Sequence, residues 1–283
     1  MKKLGWIGLG NMGLPMAHNL QKANFPLAVY NRSIEKTTSF NGTNATICNS
    51  IAELVEQSDL IFTMLTNDEA VTEVYHTILS LTIAGKIFVD MSTVSQVLSE
   101  SMAQKIQEQD ASFLDAPVAG STQPAKDGTL IIMVGGAEPT LSVTLPYLQK
   151  LGKLVKHLGP NGKGIAAKLS VNYFLSILYQ GLAESVLLAE KNGIDRSDYL
   201  EIINESAAGS GATKVKTPLL IKEDYPPAFA LSLMLKDVLL AQKNGADYPL
   251  TSAIVDSYTE AAKSTAEQKD VISIINHLKK FSF

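Results

Sequence analysis

A glycine hexamer near the start constrains this chain more than any other feature. Gly8-Leu9-Gly10-Asn11-Met12-Gly13 fits the pattern G-x-G-x-x-G, closes a compact apolar run at residues 4–9 and opens a helical pattern at 12–22. Glycine-rich hexamers also arise by chance and in ordinary turns, so the context decides. Between a strand and a helix, Gly8 permits the tight turn, Gly10 lets the backbone approach a pyrophosphate, and Gly13 allows close helix–strand packing. The hexamer reads as a dinucleotide-binding turn.

The pattern after it agrees. Strand candidates at 27–30, 60–65, 86–90, 112–118, 130–134 and 154–157 alternate with helical stretches at 68–81 and 139–151. Ser50 and Glu53 form a capping-box pattern for another short helix. Strands alternating with helices imply parallel pairing through right-handed crossovers, hence an α/β, doubly wound Rossmann-type sheet. After Gly159-Pro160-Asn161-Gly162 the strand signals stop. Residues 163–191 read as one helix of about 29 residues, roughly 43 Å long, ending at Asn192-Gly193. Further helices are expected from Asp195 and over 213–221, 231–244 and 250–264. The expected domains are residues 1–161, a nucleotide-binding sheet, and 162–283, an all-helical domain.

Composition narrows the function. In a chain of 283 residues, 46% hydrophobic content supplies material for a large core and argues against disorder. The net charge of −4 lacks the basic excess of a nucleic-acid binder. Residues 169–189 are interrupted by Asn172, Gln180 and Glu184 and do not read as a membrane span. A lone cysteine, Cys48, and the absence of a secretory-type leader pattern lead to the expectation of a cytoplasmic protein. His18, His76, His157 and His277 have no metal-ligand spacing.

The end of the second strand bears on cofactor choice. An NAD site usually places a carboxylate there to hold the ribose 2′-hydroxyl, whereas this chain has Asn31-Arg32-Ser33 after Tyr30. Arg32 can fork onto a 2′-phosphate, with Asn31 and Ser33 donating. The reading is NADP, with NAD less favoured; a merely solvated Arg32 is the alternative. Further along, Lys168 and Asn172 stand four apart on the long helix and so share a face. A lysine among apolar neighbours is either a proton donor to a carbonyl oxygen in a partly dry cleft or a snorkelling side chain. Spacing alone leaves both open.

These motifs together resemble the β-hydroxyacid dehydrogenase (3-hydroxyisobutyrate dehydrogenase-like) family, most of all its NADPH-dependent glyoxylate/succinic semialdehyde reductase branch. The stretch from Gly8 to Ala17 resembles the N-terminal signature, Asp115-Ala116-Pro117-Val118-Ala119-Gly120-Ser121 the substrate loop, and residues 164–172 the catalytic segment. Phe229-Ala230-Leu231 with Lys236-Asp237 resembles the C-terminal motif. The resemblance implies Lys168 as the catalytic lysine, Asn172 as its substrate-positioning partner, and Thr66, Thr93 and Lys236 as cofactor-lining positions. On the residues alone, Thr93 would be a helix N-cap, and Lys236 a surface charge pairing with Asp237 or Glu223. A homodimer or homotetramer assembled through the helical domain is also implied.

The substrate loop departs from the family's usual Ser-Gly-Gly: Ala119 lacks the first hydroxyl and Ser121 adds one two positions on. Backbone amides can still hold a carboxylate, while the lost donor costs about 1–3 kcal/mol if unreplaced. The expectation is an NADPH-dependent reductase of a small carboxylate-bearing aldehyde, such as succinic semialdehyde, glyoxylate or tartronate semialdehyde, to the hydroxy acid. The rival readings are an NAD-dependent 3-hydroxyisobutyrate-type dehydrogenase, an imine reductase-like enzyme, which Lys168 disfavours, and a cofactor-binding protein without turnover.

Overall fold

Short β-runs laid side by side, most of them buried, set the architecture. The computed structural model describes residues 2–264 and 268–281. These fall into two units, Met1–Lys168 and Leu169–Phe283. The division lies inside the long helix, beyond the 159–162 turn where the sequence pattern changes.

The first unit holds nine strands among the described residues: β1 (Leu4–Ile7), β2 (Leu27–Tyr30), β3 (Thr46–Ile47), β4 (Leu60–Thr63), β5 (Ile87–Asp90), β6 (Ser112–Asp115), β7 (Val118–Ala119), β8 (Leu130–Gly136) and β9 (Gly152–His157). The order begins β3-β2-β1-β4-β5-β6, every neighbour parallel. This is the order of doubly wound dinucleotide-binding sheets. Helices α1 (Gly13–Lys22), α2 (Ile51–Gln57), α3 (Asp68–Leu79) and α4 (Gln96–Gln107) make the crossovers, and α5 (Thr122–Asp127) and α6 (Glu138–Leu148) follow. Trp6, Val29, Phe62 and Val89 are among the apolar residues of the resulting core.

Three expectations need correction. The strand expected over 112–118 is two strands, because Pro117 has no N–H for the ladder and breaks it. In addition, β8 runs antiparallel to β6 and β7. The chain from β7 reaches β8 through the six-residue α5, too short a connection to return the strand in the parallel sense. The capping box at α2 is also altered: Ser50 Oγ accepts from the Glu53 amide as expected, but Glu53 takes the Asn49 amide, not that of Ser50.

The second unit is helical. Most of α7 (Lys163–Lys191) belongs to it, followed by α8 (Arg196–Glu205), α9 (Gly211–Lys222), α10 (Leu231–Lys243), α11 (Thr251–Ala262) and α12 (Ile274–Leu278). Val186, Leu220, Met234, Val238 and Tyr258 form part of its core. A buried ion pair crosses that core: Lys216 Nζ lies 2.7 Å from Asp270 and 5.2 Å from the centre of the Tyr179 ring. Asp270 also accepts from the amides of Ala228, Phe229 and Ile272, which fixes the segment leading into α10. Each charge thereby has several protein partners. Among the described residues, no helix is long and apolar enough to cross a membrane, and no cluster of His, Cys, Asp or Glu could hold a metal ion.

Cys48 follows β3 and is fully buried. Burial, then the nearby Glu53 carboxylate, pushes its thiol up to about 11. The folded protein therefore keeps the thiol protonated and covered. Ellman's reagent should leave the native protein unlabelled at mildly alkaline pH and modify one thiol per chain after denaturation in guanidinium; rapid native labelling would contradict this.

Candidate active site

The topology places the cofactor crevice before any side chain is considered. From β1 the sheet runs to β2 and β3 on one side and to β4 and β5 on the other, and the strands that meet there are parallel. Loops after β1, β2, β4 and β5 therefore leave one edge of the sheet, where open α/β sheets bind ligands at the point of reversal. Residues 8–12 of the glycine hexamer, residues 31–33, Thr66 and Thr93 all lie on those loops.

Each glycine of the hexamer has its own reason. Gly8 has φ +100, and a Cβ there would lie 2.3 Å from the Met64 carbonyl oxygen. A Cβ on Gly13 would stand 2.0 Å from the Gly8 carbonyl oxygen. At Gly10 an added Cβ meets nothing within 4 Å. Protein packing thus explains the first and third glycines but not the second. Open space over bare backbone at the entry to α1 fits a pyrophosphate resting there, and the partial positive charge of the helix start favours it. Leu9, Asn11 and Met12 complete the turn, and Met12 caps α1 without a side-chain hydrogen bond.

Two side chains hold this turn in shape. Trp6 Nε1 donates to the Gly8 carbonyl oxygen at 2.9 Å. Asn31 Oδ1 accepts from the Leu9 amide at 2.8 Å, while Asn31 Nδ2 donates to the Ser33 carbonyl oxygen at 2.9 Å. Asn31 therefore acts within the protein as a strut between two loops, a role its sequence position did not suggest. The Arg32 side chain is 86% exposed, with Glu73 of α3 at 4.0 Å, itself largely exposed. Such a pair is weak and leaves the guanidinium open to an anion. Ser33 is exposed and its hydroxyl makes no capping bond to the 3-10 helix that follows.

Thr66 is exposed and stands one residue before Asn67, which caps α3. Thr93 is half-buried after β5, but it is not the N-cap of α4. Ser95 fills that position, its hydroxyl accepting from the Leu98 amide. A buried network sets both loops. Asp90 Oδ1 accepts from Thr63 Oγ1 (2.7 Å) and from Ser92 Oγ (2.6 Å), and Ser92 Oγ accepts from the Leu65 amide (2.8 Å). Burial pushes the Asp90 carboxyl above the ordinary carboxylate range, and these donors oppose the shift.

On the same unit, Ala119 pairs with Ile131 at the end of β7, Gly120 is exposed, and Ser121 occupies the N-cap of α5 with no capping bond from its hydroxyl. Lys168 is half-buried in the second turn of α7. The first turn of that helix is held by Asp115, whose carboxylate receives the Gly162 and Ile165 amides. Burial pushes the Asp115 carboxyl up, against those hydrogen bonds.

In the helical unit, Asn172 is buried and its Nδ2 donates to Asp237 Oδ2 at 2.5 Å. Lys236 Nζ lies 3.0 Å from Asp237 Oδ1. Asp237 is thus the centre that joins two residues singled out separately in the sequence. Of the two acidic partners weighed for Lys236, Glu223 is instead engaged by Arg196 and Lys279.

A sheet of this strand order with an open glycine turn defines a dinucleotide-binding fold. Comparisons with known proteins agree and narrow the class. Residues 3–159 match the profile described as the NAD binding domain of 6-phosphogluconate dehydrogenase, and residues 162–278 that described as NAD-binding of NADP-dependent 3-hydroxyisobutyrate dehydrogenase. The chain is 34% identical to glyoxylate/succinic semialdehyde reductase 2, chloroplastic, of Arabidopsis thaliana, over 98% of this chain and 79% of the relative. It is also 34% identical to mitochondrial 3-hydroxyisobutyrate dehydrogenase of Drosophila melanogaster, over 100% and 91%. The solved structure of Mycobacterium tuberculosis 3-hydroxyisobutyrate dehydrogenase with L-serine superposes with a TM-score of 0.89 at 30% identity, covering 99% of both chains. The chain belongs to the β-hydroxyacid dehydrogenase family and acts on CH–OH groups.

Proposed function

We propose that this protein is an NADPH-dependent reductase of a small aldehyde acid of the succinic semialdehyde, glyoxylate or tartronate semialdehyde type. The observation that carries the reaction is Lys168, half-buried in the second turn of a helix whose first turn is anchored to the strand leading into residues 116–121. The likeness to a glyoxylate/succinic semialdehyde reductase supports the substrate class. Bound NADPH supplies the hydride. Lys168 donates a proton to, or polarises, the carbonyl oxygen, and as the neutral amine it accepts the proton in the reverse direction. Asn172 and the amides of Gly120 and Ser121 hold the substrate in a near-attack pose. Ala119 completes that loop without a hydroxyl of its own.

The hexamer backbone, residues 8–13, would receive the pyrophosphate, with Thr66, Thr93 and Lys236 along the cofactor. Arg32 and Ser33 would meet the 2′-phosphate while Asn31 fixes their loop. We assign residues 1–161 to nucleotide binding and 162–283 to substrate binding and self-association as a homodimer or homotetramer. The lone, buried Cys48 favours a cytoplasmic setting.

The test is a panel of the three aldehyde acids with NADPH and NADH, together with 3-hydroxyisobutyrate oxidation, followed at the nicotinamide absorbance band. Preferred reduction of one aldehyde acid with NADPH is expected. Arg32→Ala should raise the KM for NADPH by about 10- to 100-fold, the worth of a charge-assisted hydrogen bond, and leave NADH kinetics unchanged. Equal use of NADH by the unaltered enzyme would sink the argument from Arg32, and faster NAD-dependent oxidation of 3-hydroxyisobutyrate would replace the substrate assignment.

A further inference from the structure

Asp115 ends β6 fully buried, yet it is not spent on the sheet. Its Oδ1 accepts from the Gly162 amide at 2.8 Å and its Oδ2 from the Ile165 amide at 3.0 Å. These amides belong to the cap position and the third residue of α7, donors that a helix leaves without internal partners. In a capping box, two local side chains satisfy that same pair. Here a single carboxylate takes both, from 47 and 50 positions upstream. Its negative charge at the helix start adds a favourable interaction with the helix dipole.

The carboxylate sits in a slot that only glycine can line. A Cβ on Gly135 would approach Asp115 Oδ1 to 2.6 Å, and one on Gly164 would approach Oδ2 to 2.8 Å and the Met133 carbonyl oxygen to 2.4 Å. Asn161 Nδ2 closes the remaining side, 3.4 Å from Oδ1, and also donates to the Phe113 carbonyl oxygen at 3.1 Å. Lateral movement is blocked, so the start of α7 is keyed to β6 and β8. Lys168 follows Ile165 by less than one helical turn and inherits its position. On the other side, Asp115 leads through Ala116 and Pro117 into the loop at 119–121.

We infer that Asp115 is a positioning residue for Lys168: its carboxylate fixes the rotation and height of the first turn of α7 relative to the loop that receives the substrate. The inference rests on the reading of Lys168 as the proton donor. In this role Asp115 acts through the helix amides it holds.

Asp115→Asn keeps the shape but converts one acceptor into a donor, so one of the two amides must face an N–H group. With NADPH and succinic semialdehyde, kcat should fall roughly 10- to 100-fold, the scale of a misplacement of about 1 Å, with the dissociation constant for NADPH unchanged. A readout independent of turnover accompanies it. Labelling by trinitrobenzenesulfonate, resolved by mass spectrometry, should speed up at Lys168 by about threefold or more as the first turn loosens, and not at Lys191 on the far end of the same helix. Asn161→Ala, which keeps both carboxylate bonds, should move both readouts in the same direction by less, and it serves if the Asp115 variant does not fold. Unchanged labelling of Lys168 in these variants overturns the inference. Wild-type turnover in Lys168→Ala would instead overturn the reading beneath it, so the two failures are distinct.

Discussion

Lys168→Ala is expected to lower kcat by about 10²- to 10⁴-fold, the usual worth of a positioned proton donor, while the affinity for NADPH stays within about twofold of the parent. The separation follows from where the groups lie. The pyrophosphate turn and Arg32 sit after β1 and β2, whereas Lys168 belongs to α7. Truncation removes an ammonium from a half-buried position on a helix anchored at its first turn by other residues, so the fold should survive. NADPH fluorescence titration would measure the first quantity and stopped or continuous turnover the second. Loss of both together would point to general damage, and loss of neither would remove Lys168 from the chemistry. Lys168→Arg should not restore the rate, because a guanidinium does not release its proton in this pH range.

The second large effect separates the glycines of the hexamer. Gly10→Ala should leave thermal stability within a degree or two, since its Cβ meets no protein atom and its backbone is not in the left-handed region. The same methyl would occupy the space assigned to the pyrophosphate, and NADPH binding should weaken by about 100-fold or more, roughly 2.7 kcal/mol. Gly13→Ala should do the reverse first. Its Cβ would be driven to 2.0 Å from the Gly8 carbonyl oxygen, an overpacking cost of about 1–3 kcal/mol and a melting point lower by roughly 3–10 °C. Calorimetry beside cofactor titration checks both. A Gly10→Ala protein that binds NADPH normally would mean that the open space is not where the phosphates rest.

Local patterns in the chain carried most of the fold. The α7 helix has the bounds its pattern implies, 163–191, because a long apolar run carries few helix breakers, its polar interruptions are tolerated in a helix, and it is stopped by Asn192-Gly193. β2 matches as well, at 27–30. A helix after Thr93 is implied by its capping pattern, but the extent of α4 and its true cap, Ser95, are not, although Met102 and Ile106 lie one turn apart. Its buried face is diluted by Ser99 and Ala103, and its most hydrophobic early residue, Val97, points outward. The reversal of β8 was also hidden, since strand direction depends on how the chain returns and not on the pattern within the strand.

The candidate site divides along the same line. Residues with a motif around them, the hexamer, Arg32 and Lys168, can be singled out from the sequence. Residues that organise others were not. Asp90, Asp115, Asp237 and Trp6 act through partners 2 to 65 positions away, and a single sequence gives no sign of which distant amide or hydroxyl a buried carboxylate will meet. Asn31, read in the sequence as a phosphate donor, also holds the Leu9 amide and the Ser33 carbonyl, contacts that its position in the chain does not announce.

That strut has a practical bearing on altering the coenzyme. Exchanging NADPH for NADH by placing a carboxylate after β2 is the obvious redesign, and position 31 is an inviting choice. An aspartate there could still accept the Leu9 amide but could not donate to Ser33, so the adenosine end and the phosphate turn would be disturbed together. Position 32, exposed and engaged only at 4.0 Å, can be rewritten alone. On the proposed reading, coenzyme choice should be adjustable at position 32, whereas position 31 is tied to the glycine turn through the Leu9 amide.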